Sequence, residues 1–361
     1  MALDQYVTLG HSGLRVSSLC LGAMTFGEEW GFGSPPEQAI AVMDRFIAKG
    51  GNFIDTANGY TMGHSEKIIG DHLGRDRAKR DRLVIATKFV TNMYRGDPNG
   101  GGSNRKAIIA QCEQSLRRLQ TDYIDLYWMH AWDANTPIEE TMRALDDLVR
   151  DGKVRFIGFS DSPAWKCAQA QMIATFRGWT PLIALQIEYS LLERTVEGEL
   201  VPMARELGLG ITPWGPLARG VLTGKYTRDN HGTHNPLRGE RVTASLDDRA
   251  YTIVDELVKI GKEIESTPAR VALAWLRAKP GVTSPIIGAR TIEQLDDNTA
   301  GADITLTADQ VSRLDKLSTP KLPFPTNMLS AVPAFANGGV SVNGVKIPAW
   351  DRTPATDAER F

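Results

Sequence analysis

The chain has 361 residues, 42% hydrophobic and 23% charged, with a formal net charge of −2. That composition leaves ample apolar material for a core, and the near balance of charge offers no basic field to draw in nucleic acid or an anionic membrane. Cys20, Cys112 and Cys167 are sparse and odd in number, which reads as reduced thiols in a cytoplasmic protein; no run approaches the ~20 apolar residues of a membrane span, and Met1-Ala-Leu-Asp-Gln5 does not open like a signal peptide.

Residues 1–15 predict a short hairpin able to plug the base of a barrel. Apolar, β-branched runs follow at 16–22, 52–56, 82–88, 123–130, 154–160, 181–187, 209–214 and 284–288. Helical patterns separate them, which implies parallel strands buried on both faces and joined by right-handed crossovers. Ser34-Pro-Pro-Glu37, Thr136-Pro-Ile-Glu139, Thr291-Ile-Glu-Gln294 and Thr307-Ala-Asp-Gln310 match the capping box, and Ser162-Pro163 and Thr267-Pro268 add cap-plus-proline starts. Ile108, Cys112, Leu116 and Leu119 fall on one helical face; Ile138, Met142, Leu145 and Val149 fall on another, which Gly152 would stop.

Eight strand–helix units predict an α/β fold of the (β/α)8 TIM-barrel type. A doubly wound sheet is the rival, but Leu21-Gly-Ala-Met-Thr-Phe-Gly27 lacks the G-x-G-x-x-G spacing of a dinucleotide turn. We read one domain over 1–361, with the barrel at about 6–318 and an irregular tail at 319–361. Residues 91–102 form a turn-rich loop, and 216–248 a long polar insertion after the seventh strand.

Asp55, Lys88 and His130 end three consecutive strands, and Tyr60 follows Asp55 by one short loop. In a barrel these ends share one sector of the mouth where active sites form. Singly, each residue has an ordinary structural reading; together they suit proton transfer to a carbonyl oxygen. A lysine cation lowers the pKa of a nearby phenol, a buried lysine needs a carboxylate, and an imidazole can donate to an oxygen gaining charge. Tyr60 is then the expected general acid in reduction and base in oxidation.

Asn52-Phe-Ile-Asp55 with Tyr60, Lys88 and His130 resembles the aldo-keto reductase superfamily over about residues 6–318. The resemblance implies a metal-free barrel that interconverts an aldehyde or ketone and the alcohol, with NADPH preferred and NADH possible. It implies Tyr60 as proton donor, Lys88 and Asp55 as its tuning pair, and His130 as substrate orienter. By motif it also implies cofactor contacts at Gly22, Met24, Thr25, Asp55, Ser160, Asp161 and Gln186. Trp214 would stack on the nicotinamide. Gly215, Pro216, Leu217, Ala218, Arg219, Gly220 and Lys225 would cover the pyrophosphate, and Gly288, Ala289, Arg290, Gln294, Asp297 and Asn298 would take the adenosine 2′-phosphate. The helix start near residue 292 and the planar Arg290 fork agree with a phosphate site.

Asp161 departs from the family's common asparagine: it can only accept hydrogen bonds, and its charge would favour oxidised nicotinamide. Phe26, Trp30, Met93, Tyr94 and Trp132 are the expected substrate-pocket wall, with Phe324 and Phe335 of the tail as further candidates, which suggests a bulky apolar or aromatic carbonyl. Two rivals keep the barrel. One is a cofactor-sensing binding protein resembling the potassium-channel β-subunits, with little turnover; the other is an aldolase with Lys88 as Schiff-base residue. Substrate, preferred direction and oligomeric state, monomer or homo-oligomer, are left open by the sequence.

Overall fold

Tyr6–Thr8 (β1) and Arg15–Ser17 (β2) pair as an antiparallel hairpin. In this computed structural model, which describes residues 3–228, 242 and 245–360, the barrel strands are β3 (Cys20–Gly22), β4 (Phe53–Asp55), β5 (Val84–Phe89), β6 (Ile124–Met129), β7 (Val154–Ser160), β8 (Leu182–Glu188), β9 (Gly210–Trp214) and β10 (Ile286–Gly288). They pair in parallel in the order β10-β3-β4-β5-β6-β7-β8-β9. Ile211 bridges to Val282, just before β10, so the ring is nearly closed. The expected TIM barrel and its N-terminal hairpin are both present.

The first apolar run divides in two. The Ser17 N–H donates to Asn52 Oδ1 and the Ser17 hydroxyl donates to the Leu19 carbonyl, each at 2.7 Å. These bonds end β2 and turn the chain, so residues 15–17 belong to the hairpin and only 20–22 to the barrel. The hairpin's Leu9 and Val16 pack with Phe53, Val84, Leu126 and Trp128 inside the barrel, and so plug its base.

Trp128 fills the interior because Gly158 opposes it. A Cβ on Gly158 would lie 2.3 Å from the indole ring. Outside the strands, Ile108, Cys112, Leu116 and Leu119 of the helix Arg105–Leu119 are buried, as are Ile138, Met142 and Leu145 of Ile138–Arg150. Each such side chain contributes about 1.5–3 kcal/mol on leaving water. Gly152, with φ 72°, follows the second of these helices in the left-handed region that suits a glycine stop.

The capping residues divide by location. Thr307 and Gln310 form the complete box, and Thr267 and Thr291 cap their helices through the side chain. Ser34, Thr136 and Ser162 do not cap; the cap positions of their helices fall one residue later, on Pro35, Pro137 and Pro163. Their hydroxyls donate instead to the Thr25 carbonyl, to Asp133 Oδ2 and to the Ser160 carbonyl. All three lie in loops after β3, β6 and β7, and the local loop bonds displace the cap.

Part of the insertion, residues 229–241 and 243–244, lies outside the described residues. The tail is more regular than its composition suggests, with short helices at Thr326–Leu329 and Val332–Asn337 and a ribbon of Ser341–Val342 (β11) with Val345–Lys346 (β12). Phe324 is 76% exposed and Phe335 is 52% exposed, its ring against Trp350 of the tail. Among the described residues no helix is long and apolar enough to cross a membrane.

Candidate active site

Parallel pairing places Asp55 beside Ala86, and Lys88 beside Trp128, at the C-terminal ends of their strands. Lys88 is fully buried and Asp55 nearly so. Lys88 Nζ donates to Asp55 Oδ2 at 2.5 Å, to the Thr56 carbonyl at 2.8 Å and to the Tyr60 hydroxyl oxygen at 3.1 Å. An ammonium has three donors, and all three are engaged. Gln186 Nε2 donates to the other Asp55 oxygen at 3.0 Å. The Tyr60 oxygen thus accepts from Lys88, which leaves its own proton to give away.

Tyr60 is held by an unusual turn. Thr61 and Met62 have φ of 47° and 58°, the left-handed region. Such positions cost about 1 kcal/mol or more each and cluster at functional sites. The Thr61 hydroxyl holds the turn by donating to the Phe26 carbonyl at 2.7 Å. The Asn58 amide adds bonds to the Thr91 carbonyl and Gln111 Oε1. The His130 ring stands edge-on to Tyr60 at 5.6 Å, and Trp30 closes another side at 6.2 Å. Four strand-end or loop residues far apart in sequence therefore form one cluster.

The electrostatics differ from the sequence expectation at one point. Burial pushes the Tyr60 phenol above its ordinary value; the Lys88 cation pulls it down but does not prevail. Burial alone disfavours the Lys88 cation, but Asp55 and Tyr60 outweigh it, so its pKa stands above the usual lysine value. Burial, with the Lys88 charge, brings His130 down to about 3, so its imidazole is neutral at ordinary pH.

Ser160 and Thr25 carry buried hydroxyls without a hydrogen-bond partner among the described residues. Ser160 Oγ lies near the Asp161 carboxyl, but without the geometry of a bond. Two orphaned hydroxyls at one barrel mouth are what a polar ligand would satisfy, and they fit the carboxamide and ribose-phosphate chemistry of a nicotinamide dinucleotide. Asp161 has φ 39° and accepts from the Trp214 indole N–H at 3.0 Å through Oδ1. It opens to solvent, yet desolvation by the surrounding protein raises its carboxyl pKa against the pull of the indole N–H. This indole–carboxylate bond was not legible in the sequence. It ties together two residues expected beside the nicotinamide.

After β9, Gly215, Ala218, Arg219 and Gly220 all have positive φ, and the turns are held by the Ala218 N–H donating to the Gly215 carbonyl at 2.8 Å and the Gly220 N–H to the Leu217 carbonyl at 2.9 Å. Pro216 and Ala218 are buried, Leu217 is half-buried, Arg219 pairs with Glu188 at 3.5 Å, and Lys225 is exposed. After β10, Gly288 and Arg290 are exposed and Ala289 is buried; Gln294 Oε1 accepts from the Arg290 N–H at 2.9 Å, and Asn298 Nδ2 donates to the Gly288 carbonyl at 3.2 Å. The Asp297 carboxylate is held by Arg270 Nε at 2.8 Å. Gly22 ends β3, and Met24 in the following loop is 39% exposed.

Of the expected pocket wall, Trp30 stands over Tyr60, Met93 and Trp132 are half-buried, and Tyr94 is 50% exposed. Phe26 is a correction: it is fully buried in the core and lines nothing, because the loop after β3 folds inward there before rising to Trp30. Phe32, beside Trp30 at 6.0 Å, was missed. At the other end of the barrel lies a groove of about 740 Å³, but Arg77 with Asp122 and Lys153 with Glu113 pair across its rim.

The chain belongs to the aldo-keto reductase family: the model of the "Aldo/keto reductase family" matches residues 18–319. It is 39% identical over 322 residues to an uncharacterized oxidoreductase of Bacillus subtilis, YrpG, covering 87% of this chain and 95% of that protein. It is 37% identical to norsolorinic acid reductase B of Aspergillus parasiticus, over 90% of this chain and 86% of that one. It is 36% identical to a Saccharomyces cerevisiae protein named "Probable aryl-alcohol dehydrogenase AAD4", over 82% and 93% respectively. The protein is an oxidoreductase of carbonyl–alcohol chemistry, in a family that uses nicotinamide cofactors and small-molecule substrates.

Proposed function

We propose that this protein is a cytoplasmic, NADPH-dependent reductase that interconverts aromatic aldehydes or ketones and their alcohols, with its catalytic unit in the barrel and the tail appended. The observation that carries the reading is the three-way engagement of Lys88 by Asp55, the Thr56 carbonyl and Tyr60. Asp55 keeps Lys88 charged, and the charge stabilises the Tyr60 oxygen when it gives up its proton. Tyr60 hands that proton to the carbonyl oxygen, and in the reverse direction takes it back. Neutral His130 donates a hydrogen bond to the same oxygen as charge develops. Trp30 excludes water from Tyr60.

Bound NADPH supplies the hydride. The orphaned Ser160 hydroxyl, the free oxygen of Gln186 and Asp161 are placed to hold the carboxamide, with the Trp214 face against the ring. Thr25 and the turns of residues 215–220, with Lys225, suit the pyrophosphate. Arg290 supports NADPH over NADH, since its exposed guanidinium joins no ion pair among the described residues. The aromatic class is supported by Trp30, Phe32 and Trp132 around the mouth, and by the name of the aryl-alcohol dehydrogenase relative. The cytoplasmic reading is supported by three buried, unpaired cysteines.

A Schiff base on Lys88 is disfavoured, because an ammonium with every donor engaged has no lone pair to attack a carbonyl carbon. The test is NADPH oxidation against a panel of aromatic aldehydes, with wild type and Tyr60→Phe. The variant is expected to bind NADPH as before and to lose turnover by roughly 10²–10⁴-fold, the usual worth of a placed acid. Equal rates in the two proteins would remove Tyr60 from the mechanism.

A further inference from the structure

We propose that Lys166 is a specificity-determining residue for an anionic substituent on the substrate, so that the preferred carbonyls are aryl aldehydes or ketones carrying a carboxylate. The proposal rests on the carbonyl-reductase reading above and adds the far end of the substrate to it.

Lys166 sits in the first turn of the helix Ala164–Arg177, which follows β7 at the mouth. Its ammonium lies 4.7 Å from the centroid of the Trp132 ring and 4.3 Å from that of Trp165. Two cation–π contacts of this kind bias a flexible lysine towards one place. Its hydrogen-bond partner is the Gln169 amide oxygen at 3.0 Å, a neutral group. Among the described residues no carboxylate is within ion-pair reach of Lys166, and the first turn of its helix carries no acidic residue. Of the other cations around the mouth, Lys88 pairs with Asp55, Arg118 with Glu66 and Arg219 with Glu188, while Lys225 and Arg290 lie in the loops after β9 and β10, assigned above to the cofactor phosphates.

Lys166 therefore offers a full positive charge and two uncommitted N–H donors between aromatic walls. The location connects it to the chemistry. Trp132 lies two residues beyond His130, and its backbone N–H donates to the Asp161 carbonyl at 3.3 Å. A substrate whose carbonyl meets Tyr60 and His130 would extend its ring along Trp132, with a carboxylate at its distal end meeting Lys166. Trp165, 63% exposed, would flank that end from the solvent side.

The test compares two aldehydes of nearly equal shape, 4-carboxybenzaldehyde and its neutral methyl ester, with NADPH. Wild type, Lys166→Met and Lys166→Arg are each measured for kcat and KM. The ratio of kcat/KM, acid over ester, is expected to fall about 10-fold in Lys166→Met, the change lying in KM, and to be largely kept in Lys166→Arg. In wild type the same ratio should fall as salt rises. An acid-to-ester ratio that is the same in wild type and Lys166→Met overturns the proposal while leaving the reductase reading standing. Failure of wild type to oxidise NADPH with either aldehyde overturns both.

Discussion

Two buried ion pairs stand at opposite ends of this barrel, and they differ in what they leave unfinished. At the base, Arg80 pairs with Asp125 at 2.7 Å and donates to the Leu83 and Tyr123 carbonyls, its buried Nε alone lacking a partner among the described residues, while Asp125 accepts from the Ile85 N–H. That network ties backbone segments together and presents no transferable proton to a ligand. At the mouth, Lys88 and Asp55 are as deeply buried, but their third member is Tyr60, whose hydroxyl proton remains available. At the same mouth the Ser160 and Thr25 hydroxyls are buried without a hydrogen-bond partner among the described residues. A buried charge pair is therefore not itself a mark of function. The mark is residual hydrogen-bonding capacity directed at one place.

Removing one cation from each pair tests the contrast most strongly. Either Lys88→Met or Arg80→Met leaves a carboxylate buried without its partner and should cost about 3–5 kcal/mol in urea unfolding. Only Lys88→Met should also reduce kcat per folded molecule, by roughly 10²-fold or more. If Arg80→Met reduces it as far, the two ends are not functionally distinct.

The next effect is in pH. The folded-state pKa of His130, about 3, lies below the ~6.5 of an unfolded histidine. Between those values the unfolded chain binds a proton that the folded protein refuses. The contribution of His130 to stability is thus full above about pH 6.5 and falls as pH drops towards 3, by at most ~1.4 kcal/mol per pH unit. Melting temperatures of wild type and His130→Gln across that window should converge as pH falls. A constant gap would mean that His130 is not held neutral by its site.

The smallest expected effect concerns Asp161. Its asparagine variant keeps an oxygen for the Trp214 indole but removes the charge, so the ratio of NADP+ to NADPH affinity should shift by about threefold towards NADPH. Titration of both forms against Asp161→Asn checks this, and an unchanged ratio discards the charge effect. Asp161→Leu, which also removes the acceptor, should weaken both forms of the cofactor further.

Strand and helix periodicity was legible because it follows directly from burial on one or both faces. Lys88, His130 and Asp55 could be assigned to one end of a barrel for the same reason, since each closes an apolar run. The division of the first run at Ser17 was not legible, because a serine–asparagine contact 35 residues apart ends the strand. The caps at Ser34, Thr136 and Ser162 failed where nearby loop atoms competed for the hydroxyl. Phe26 and Trp30 look alike in sequence, four residues apart in one loop. Only the course of that loop sends the first into the core and the second over Tyr60.

By itself the sequence determined the barrel, its plug and the identity of the chemical groups at its mouth. Local pattern and strand order suffice for these, because parallel strands place all their C-terminal ends together. The tertiary structure decided how those groups share hydrogen bonds and charge. It gave Lys88 three acceptors, let burial outweigh Lys88 at the Tyr60 phenol, bonded Asp161 to Trp214, and left Lys166 without a carboxylate among the described residues. Such outcomes depend on distances of a few ångströms between residues remote in the chain, and electrostatic balance in a buried site is set by those distances.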